Sequence, residues 1–575
     1  MELCLSNQVS NVCDVDPSPA SNTASIPRSK ILRAAILVVL CLSLLLVSLD
    51  NTVLNIALPT LVRDLHANES DLQWIVDSYA VIYAGLLLMA GSLGDRFGRK
   101  RIFLVGLVIF GAGSAGSAFS GSVTRLVLAR AIMGVGAACV MPSTLAILTN
   151  VFTGTRSQSR AIGVWSGTAG IGIAVGPILG GWLLAHFWWG SVFLINTPIA
   201  LVGAVATILL IPESKSAKRR PIDFVGFVLS TVGLGALLFS IIEIPERGWS
   251  SPVVAVSGVF SLVVLAGFGI WEVNSKHPML VLRPFRDRRF SVAMGAAALA
   301  IFSLMGLFFV LTQYLQFALG YSAFGTGIRI LPVAGVLLLA SPASSYLDHW
   351  FGTKAVVAVG LILAAAGLWQ LSLTTQADTF SHALLGFIVL GVGAGFILAP
   401  STSSVMGSLP QSRVGVGSAT NSTAIQTGGA LGVAILGSVL SVRYQAHMGA
   451  VLSGHKVPQI ARQAIMGSIG GAQMVASHVG GKLGAALADT ARVGFISGMD
   501  LALKVAAVVV VVSVVAVLAG LPSRPAKFTP EIGEVEPGSR DGLRPQDGDK
   551  DSTVARVSSS PARNDPLRAT SGSSH

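Results

Sequence analysis

Asp50 stands inside the first long apolar run of the chain, in Leu49-Asp50-Asn51-Thr52-Val53-Leu54-Asn55. A low dielectric disfavours a charged carboxylate, so an acid in such surroundings can take up and release a proton near neutral pH. Asp77, about one turn beyond Trp74 in the second apolar run, offers the same chemistry. Asn51 and Asn55, four residues apart, lie on a neighbouring strip of the Asp50 helix and give it a polar face. Arg130 in the fourth run keeps its charge and cannot itself carry the proton. Its expected role is to steady the ionised form of a nearby acid or to hold a hydrated pocket. The structural alternatives are a permanently paired acid and an arginine bound only to helix carbonyls.

The elements that must position these groups follow from composition. Of 575 residues, 52% are hydrophobic and 11% charged, with 64 glycines, and the mean hydropathy is +0.72. A soluble surface needs roughly 25% charged residues, so a water-facing globular protein is excluded. Continuous apolar runs, each long enough to cross about 30 Å of hydrocarbon, also exclude a transmembrane β-barrel with its alternating pattern. Fourteen such spans fall between residues 34 and 520, which predicts an all-α integral membrane protein. No cleavage site follows the first run, so it is expected to be retained.

The net charge of +12 does not indicate nucleic acid, because no basic domain with interleaved aromatics is present. Taking both termini as cytoplasmic places twenty lysines and arginines on inner flanks and loops, among them Arg96, Arg99, Lys100, Arg101, Arg160, Arg219, Arg289 and Arg413. Only Arg63, Arg125 and Arg247 fall on short outer loops. That asymmetry satisfies the positive-inside rule and predicts a multi-pass protein of the inner (cell) membrane. The four cysteines have no disulfide or metal-site spacing; no metal or cofactor is expected.

Segments of the first half return in the second. Gly134-Val135-Gly136-Ala137 ending in Pro142-Ser143-Thr144 recurs as Gly391-Val392-Gly393-Ala394 ending in Pro400-Ser401-Thr402. Gln158-Ser159-Arg160 recurs as Gln411-Ser412-Arg413, and Phe97-Gly98 as Phe351-Gly352. A parallel repeat of this kind implies two halves rocking about a central cavity. The expected organisation is a disordered tail over 1–33, a six-helix bundle over 34–211 and two inserted helices over 222–274. A second bundle over 290–520 follows, with a long outer connection at about 443–495 that is Gly/Ala-rich with helical stretches, and then a disordered tail over 521–575.

Two further segments are specific. Gly91, Gly94, Asp95, Arg96, Gly98 and Arg99 form an ordered Gly/Asp/Arg loop between the second and third spans. In the fifth span, Gly172, Gly176 and Gly180 repeat every four residues among Gly170, Pro177 and Gly181. One face is therefore bare backbone that a neighbouring helix can approach closely, and Pro177 adds a kink.

Together these residues resemble the major facilitator superfamily, in particular its fourteen-helix drug:proton antiporter branch. Gly91 to Arg101 resembles the family's loop motif, Arg130 with Gly134 and Gly136 its fourth-helix motif, and Gly170 to Gly181 its antiporter motif. Asp50 in its Asp-Asn-Thr-Val setting is similar to the acidic first-helix motif of the branch. The second-half loop departs from the pattern: it has lost most of its basic residues, and His349 stands where an acid is expected, so its part in gating is open.

The resemblance implies two six-helix bundles plus two inserted helices and proton-coupled export of amphipathic drugs. Asp50, Asp77 and Arg130 would serve proton coupling, and the Gly91–Arg99 loop would serve gating. Partners are then a small amphipathic substrate, protons and membrane lipids, and a monomer is expected. Candidate substrate contacts are Asn51, Asn55, Trp165, Phe309, Gln313, Gln316, Asn421 and Gln426, a mostly apolar set with a few polar groups. The alternative cargo is an endogenous lipid or metabolite. A membrane enzyme would need a nucleophile, acid–base or metal constellation at membrane depth, and none is found. No phosphate-binding loop suggests ATP as the energy source.

Overall fold

A computed structural model describes residues 29–152, 155–215, 222–376, 378–409 and 414–521. Arg219, Arg413 and the tail residues 1–28 and 522–575 lie outside the described residues, while Lys30–Arg33, expected in the first disordered tail, are instead the first turn of a helix. Within them the chain forms α1 (Lys30–Leu65), α2 (Glu69–Phe97), α3 (Arg99–Ala118), α4 (Val123–Val151), α5 (Thr155–His186), the short α6 (Ser191–Leu194), α7 (Asn196–Leu210), α8 (Phe224–Ile242), the single turn α9 (Ile244–Arg247) and α10 (Pro252–Asn274). After a linker come α11 (Arg288–Gln313, extended by a π turn to Ala318), α12 (Ala323–Phe351), α13 (Thr353–Ser372), α14 (Phe380–Gly407), α15 (Val414–Leu452), α16 (Gln459–Gly467), α17 (Ile469–Val479) and α18 (Gly481–Gly520). Fourteen helical stretches among these are long and apolar enough to cross a membrane.

Because the spans alternate in direction, the start of α1 and the end of α18 share one face, here the terminal face; the other is the distal face. Arg96, Arg99, Lys100, Arg101, Arg289 and Lys354 all sit at helix ends on the terminal face.

The internal repeat is visible as repeated packing. α4 lies against α2 and α3, as α14 lies against α12 and α13, and the α1–α5 pair has its counterpart in α11–α15. Glycine makes these approaches possible. A Cβ on Gly136 would sit 2.6 Å from the Phe110 nitrogen, and one on its repeat Gly393 would sit 2.5 Å from the Ala364 nitrogen. Gly98 and Gly352, repeats of each other, have φ of 118° and 79°, a region that residues with a Cβ seldom adopt. Each lets one helix end and the next begin without an intervening loop.

Two seams join the halves. α2 runs antiparallel to α15, and α5 to α12. The inserted hairpin of α8 and α10 covers the first seam: Leu234, Leu238 and Ile242 pack with Val81 and Ala84 of α2 and with Ala430 and Ala434 of α15.

The stretch expected as a long connection, about 443–495, is largely helical. α15 continues to Leu452, α18 begins at Gly481, and α16 and α17 fill the interval. Its Ala, Leu and Met content sustains helix beyond the apolar limit of each span, which a hydropathy criterion does not register. Tyr444 anchors the cap by donating its hydroxyl hydrogen bond toward the Ile465 and Ser468 carbonyls.

Candidate functional site

Asp50, on the middle of α1, and Arg130, on α4, are brought together as an ion pair at 2.5 Å, each 1% exposed at the side chain. Arg130 also donates from Nε to the Ile75 carbonyl of α2 at 3.2 Å, and its guanidinium lies 4.4 Å from the centre of the Tyr79 ring. The second carboxylate oxygen of Asp50 accepts from Asn196 Nδ2 at 3.2 Å. Asn196 is itself linked to Ser114, whose hydroxyl donates to the Phe193 carbonyl at 2.7 Å. Three helices, α1, α4 and α7, thus meet at one carboxylate, with opposite charge on one oxygen and an amide on the other. A charge at this depth is tolerated when it is paired and hydrogen-bonded. In the second half the repeat position of Arg130 is Phe387, buried and apolar, so this chemistry belongs to the first half alone.

Asn196 was not marked by its sequence context. It begins an apolar helix and reads there as a helix-start residue. Asn196→Ala removes the only amide on its oxygen of Asp50 that the structure records, and should destabilise the folded protein by about 1–3 kcal/mol. A lowered Tm of the purified protein checks this.

Asp77 is fully buried, and neither carboxylate oxygen has a hydrogen-bond partner among the described residues. It lies on the strip of α2 that faces the other half. One turn before it, Gln73 accepts from Ser438 of α15 at 3.2 Å; one turn after it, Val81 packs with Ala430 and Ala434. Glu69, two turns before it, accepts from Gln313 of α11 at 2.9 Å. Glu69 was also missed, although 69, 73 and 77 share the four-residue spacing of one helix face. At the neighbouring rim, burial together with the charges of Glu243 and Asp71 raises the pKa of Glu246.

The seams are closed at the distal end. Gln316 donates to the Ile56 carbonyl of α1 at 3.0 Å, and a Cβ on Gly181 of α5 would lie 2.7 Å from the Ala323 oxygen and Phe324 Cα of α12. A Cβ on Gly327 would strike the Pro177 carbonyl. Toward the terminal face α5 loses such neighbours: beside Gly163 and Gly167 there is open space.

The glycines of α5 therefore serve two contacts. Gly172, Gly176 and Gly180 face Ser48, Thr52 and Val53 of α1, within the first half, where Thr52 donates to the Gly172 carbonyl at 3.3 Å. Gly170, Pro177 and Gly181 instead meet α12, touching Leu338, Gly327 and Ala323. The every-fourth-residue stripe packs inside one half, and the contact with the other half lies on the adjoining face.

The terminal-face loop is held by Asp95–Arg99 at 3.0 Å, by Arg99 to the Ala146 carbonyl of α4, and by Arg101–Glu213 at 3.5 Å. Glu213 also accepts from the Lys100 backbone. Gly91 and Gly94 approach Pro142 and Ser143 of α4, and Arg96 stacks over Phe97 at 5.6 Å. On the second-half copy, the His349 ring stands 6.5 Å from that of Trp350.

The candidate substrate contacts separate into three groups. Phe309, Gln313 and Gln316 are buried, the two glutamines within the closed distal seam. Trp165 and Gln426 are half-buried, on stretches of α5 and α15 nearer the terminal face, with Asn421 beside them in sequence on α15. Trp165 Nε1 and Asn421 Oδ1 have no protein partner. Asn51 and Asn55 donate back to the Val47 and Asn51 carbonyls of their own helix, leaving Asn55 Oδ1 without a partner. Among the described residues no cluster of His, Cys, Asp or Glu could hold a metal ion.

The family model of the Major Facilitator Superfamily matches residues 40–433. The multidrug efflux pump LfrA of Mycolicibacterium smegmatis is 35% identical over 477 residues, covering 83% of this chain and 94% of its own. The tetracenomycin C resistance and export protein of Streptomyces glaucescens is 33% identical over 503 residues, covering 86% and 91%. Among solved structures, a bacterial homologue of the human lysosomal transporter Spinster, inward-facing and unoccupied, aligns with a TM-score of 0.59 at 18% identity, covering 87% of this chain and all of that one; this likeness is one of fold. Matched by the family model over most of its length and by full-length relatives, the chain belongs to the major facilitator superfamily of membrane transporters.

Proposed function

We propose that this transporter exports amphipathic drugs across the cytoplasmic membrane in exchange for inward-moving protons, with both termini and the terminal face in the cytoplasm. The observation that carries the reading is Asp50, a carboxylate held at membrane depth by Arg130 and Asn196 beneath a closed distal seam. A proton on Asp50 removes the charge that Arg130 is paired with, which frees α1 and α4 to shift relative to each other. Loss of that proton restores the pair. If proton binding and cargo binding favour opposite arrangements of the halves, each drives the other through the same equilibrium. The export names of the relatives and the basic residues on the terminal face support this direction.

The driving force is adequate. One proton moving down a potential of 100 mV yields about 2.3 kcal/mol, and each pH unit adds about 1.4 kcal/mol.

In cells making the protein, an ethidium-type dye should leave rapidly, and a protonophore should raise its retention to that of cells lacking the protein. Efflux that ignores the protonophore and stops on ATP depletion contradicts the coupling. Export of lipid but no dye from reconstituted vesicles favours the endogenous-cargo alternative.

A further inference from the structure

We infer that Glu69 is the proton-loading residue of the distal face, passing protons along the polar strip of α2 to Asp77. The inference deepens the exchange proposed above and rests on it.

Glu69, Gln73 and Asp77 occupy one face of α2 at intervals of four residues, so the two acids are separated by eight residues, about 12 Å of helix. All three are buried, and the strip faces the second half of the molecule. Glu69 is joined to Gln313 and Gln73 to Ser438. Along the strip, Gln313 Oε1, Gln73 Nε2 and both oxygens of Asp77 have no protein partner. Buried polar atoms in native proteins are usually satisfied by protein or by ordered water, so this seam is suited to hydration between the two acids. Asp50 is closed in by helices of its own half. Glu69 is covered by the opposite half, at the end where the seam closes, so opening that end uncovers it first.

The step is a simple transfer. When the distal seam parts, the Glu69 carboxylate takes a proton from distal water. Its O–H bond then breaks as one forms on the Asp77 carboxylate, through intervening water, and Glu69 returns to its charged form. Titratable neighbours are few. Tyr444 of α15 stands across the seam within electrostatic reach of Glu69, while Asp71 on α2, Glu243, and Glu246 and Arg247 on α9 gather at the adjoining rim.

The test compares Glu69→Gln, which keeps an oxygen acceptor for Gln313, with Glu69→Asp, in proteoliposomes loaded with dye. Two rates are read: export driven by an imposed pH gradient, and dye counterflow without a gradient. Glu69→Gln should lose at least tenfold of gradient-driven export and flatten its dependence on distal pH. Counterflow should be retained, and Glu69→Asp should recover most of the driven rate. Unchanged driven export overturns the proposal, as does an equal loss of counterflow, which would make Glu69 only part of the seal. If Asp50→Asn also leaves driven export intact, the exchange reading itself fails; if Asp50→Asn abolishes it while Glu69→Gln is silent, only the loading role fails.

Discussion

Asp50→Asn should abolish export against a gradient while leaving the protein in the membrane. With one proton exchanged per cargo molecule, a difference of two pH units is worth about 2.7 kcal/mol, a concentration ratio of about 100. A neutral asparagine cannot bind or release that proton, so the ratio should fall to one. The amide retains an oxygen for Arg130, yet it leaves the guanidinium without its counter-charge; breaking a buried pair in this way costs about 3–5 kcal/mol. Asp50→Glu, which keeps both charge and proton chemistry, is therefore the necessary companion. The measurement is dye accumulation in sealed liposomes under an imposed gradient, with counterflow as the check that folded protein is present. Undiminished accumulation by Asp50→Asn would remove Asp50 from the coupling.

The second large effect is expected at Gly181. Its missing side chain lets α5 lie directly on the backbone of α12, where a Cβ would come within 2.7 Å of Ala323 and Phe324. Backbone cannot yield as a flexible side chain can, and overpacking of this kind costs about 1–3 kcal/mol. The cost falls on one state: Gly181→Val strains the arrangement in which the distal seam is closed and is relieved when it opens. A shift of 1.4 kcal/mol changes the ratio of the two states tenfold, so distance measurements between labels on α5 and α12 should move strongly toward distal-open. Gly176→Val makes the control. Gly176 faces Thr52 of α1 inside the first half, so that variant should lower Tm without favouring the distal-open state. Identical distance distributions for wild type and Gly181→Val would refute the seam assignment.

Much of this architecture was legible in the sequence because the membrane imposes simple rules. Runs of apolar residues mark the spans, the basic residues mark one face, and a charge such as Asp50 or Arg130 inside a span is conspicuous because it is costly. The repeat, too, was readable at Gly136 and Gly393, where a Cβ would come within 2.6 Å and 2.5 Å of a neighbouring backbone nitrogen. Partners across space were harder. Asn196 has no special spacing to Asp50 and becomes its ligand only because α7 begins beside α1. Glu69 was obscured by its place at a helix start, next to the Asn68–Asp71 capping pair, where an acid has an ordinary local explanation. The glycine stripe of α5 was visible as a packing face, but which helix it met was not: periodicity gives a direction around the helix and says nothing of what lies there. In the long connection near residue 443 helical stretches were legible, but the drop in hydropathy hid how far α15 and α18 continue into it.

The central claim is exchange, and it is tested most directly by recording protons and cargo together. In sealed liposomes holding the purified protein, with no imposed gradient, addition of a transported dye on one side should drive protons across in the opposite direction. That proton signal should vanish in Asp50→Asn. Dye transport with no accompanying proton movement across the working pH range would contradict the account.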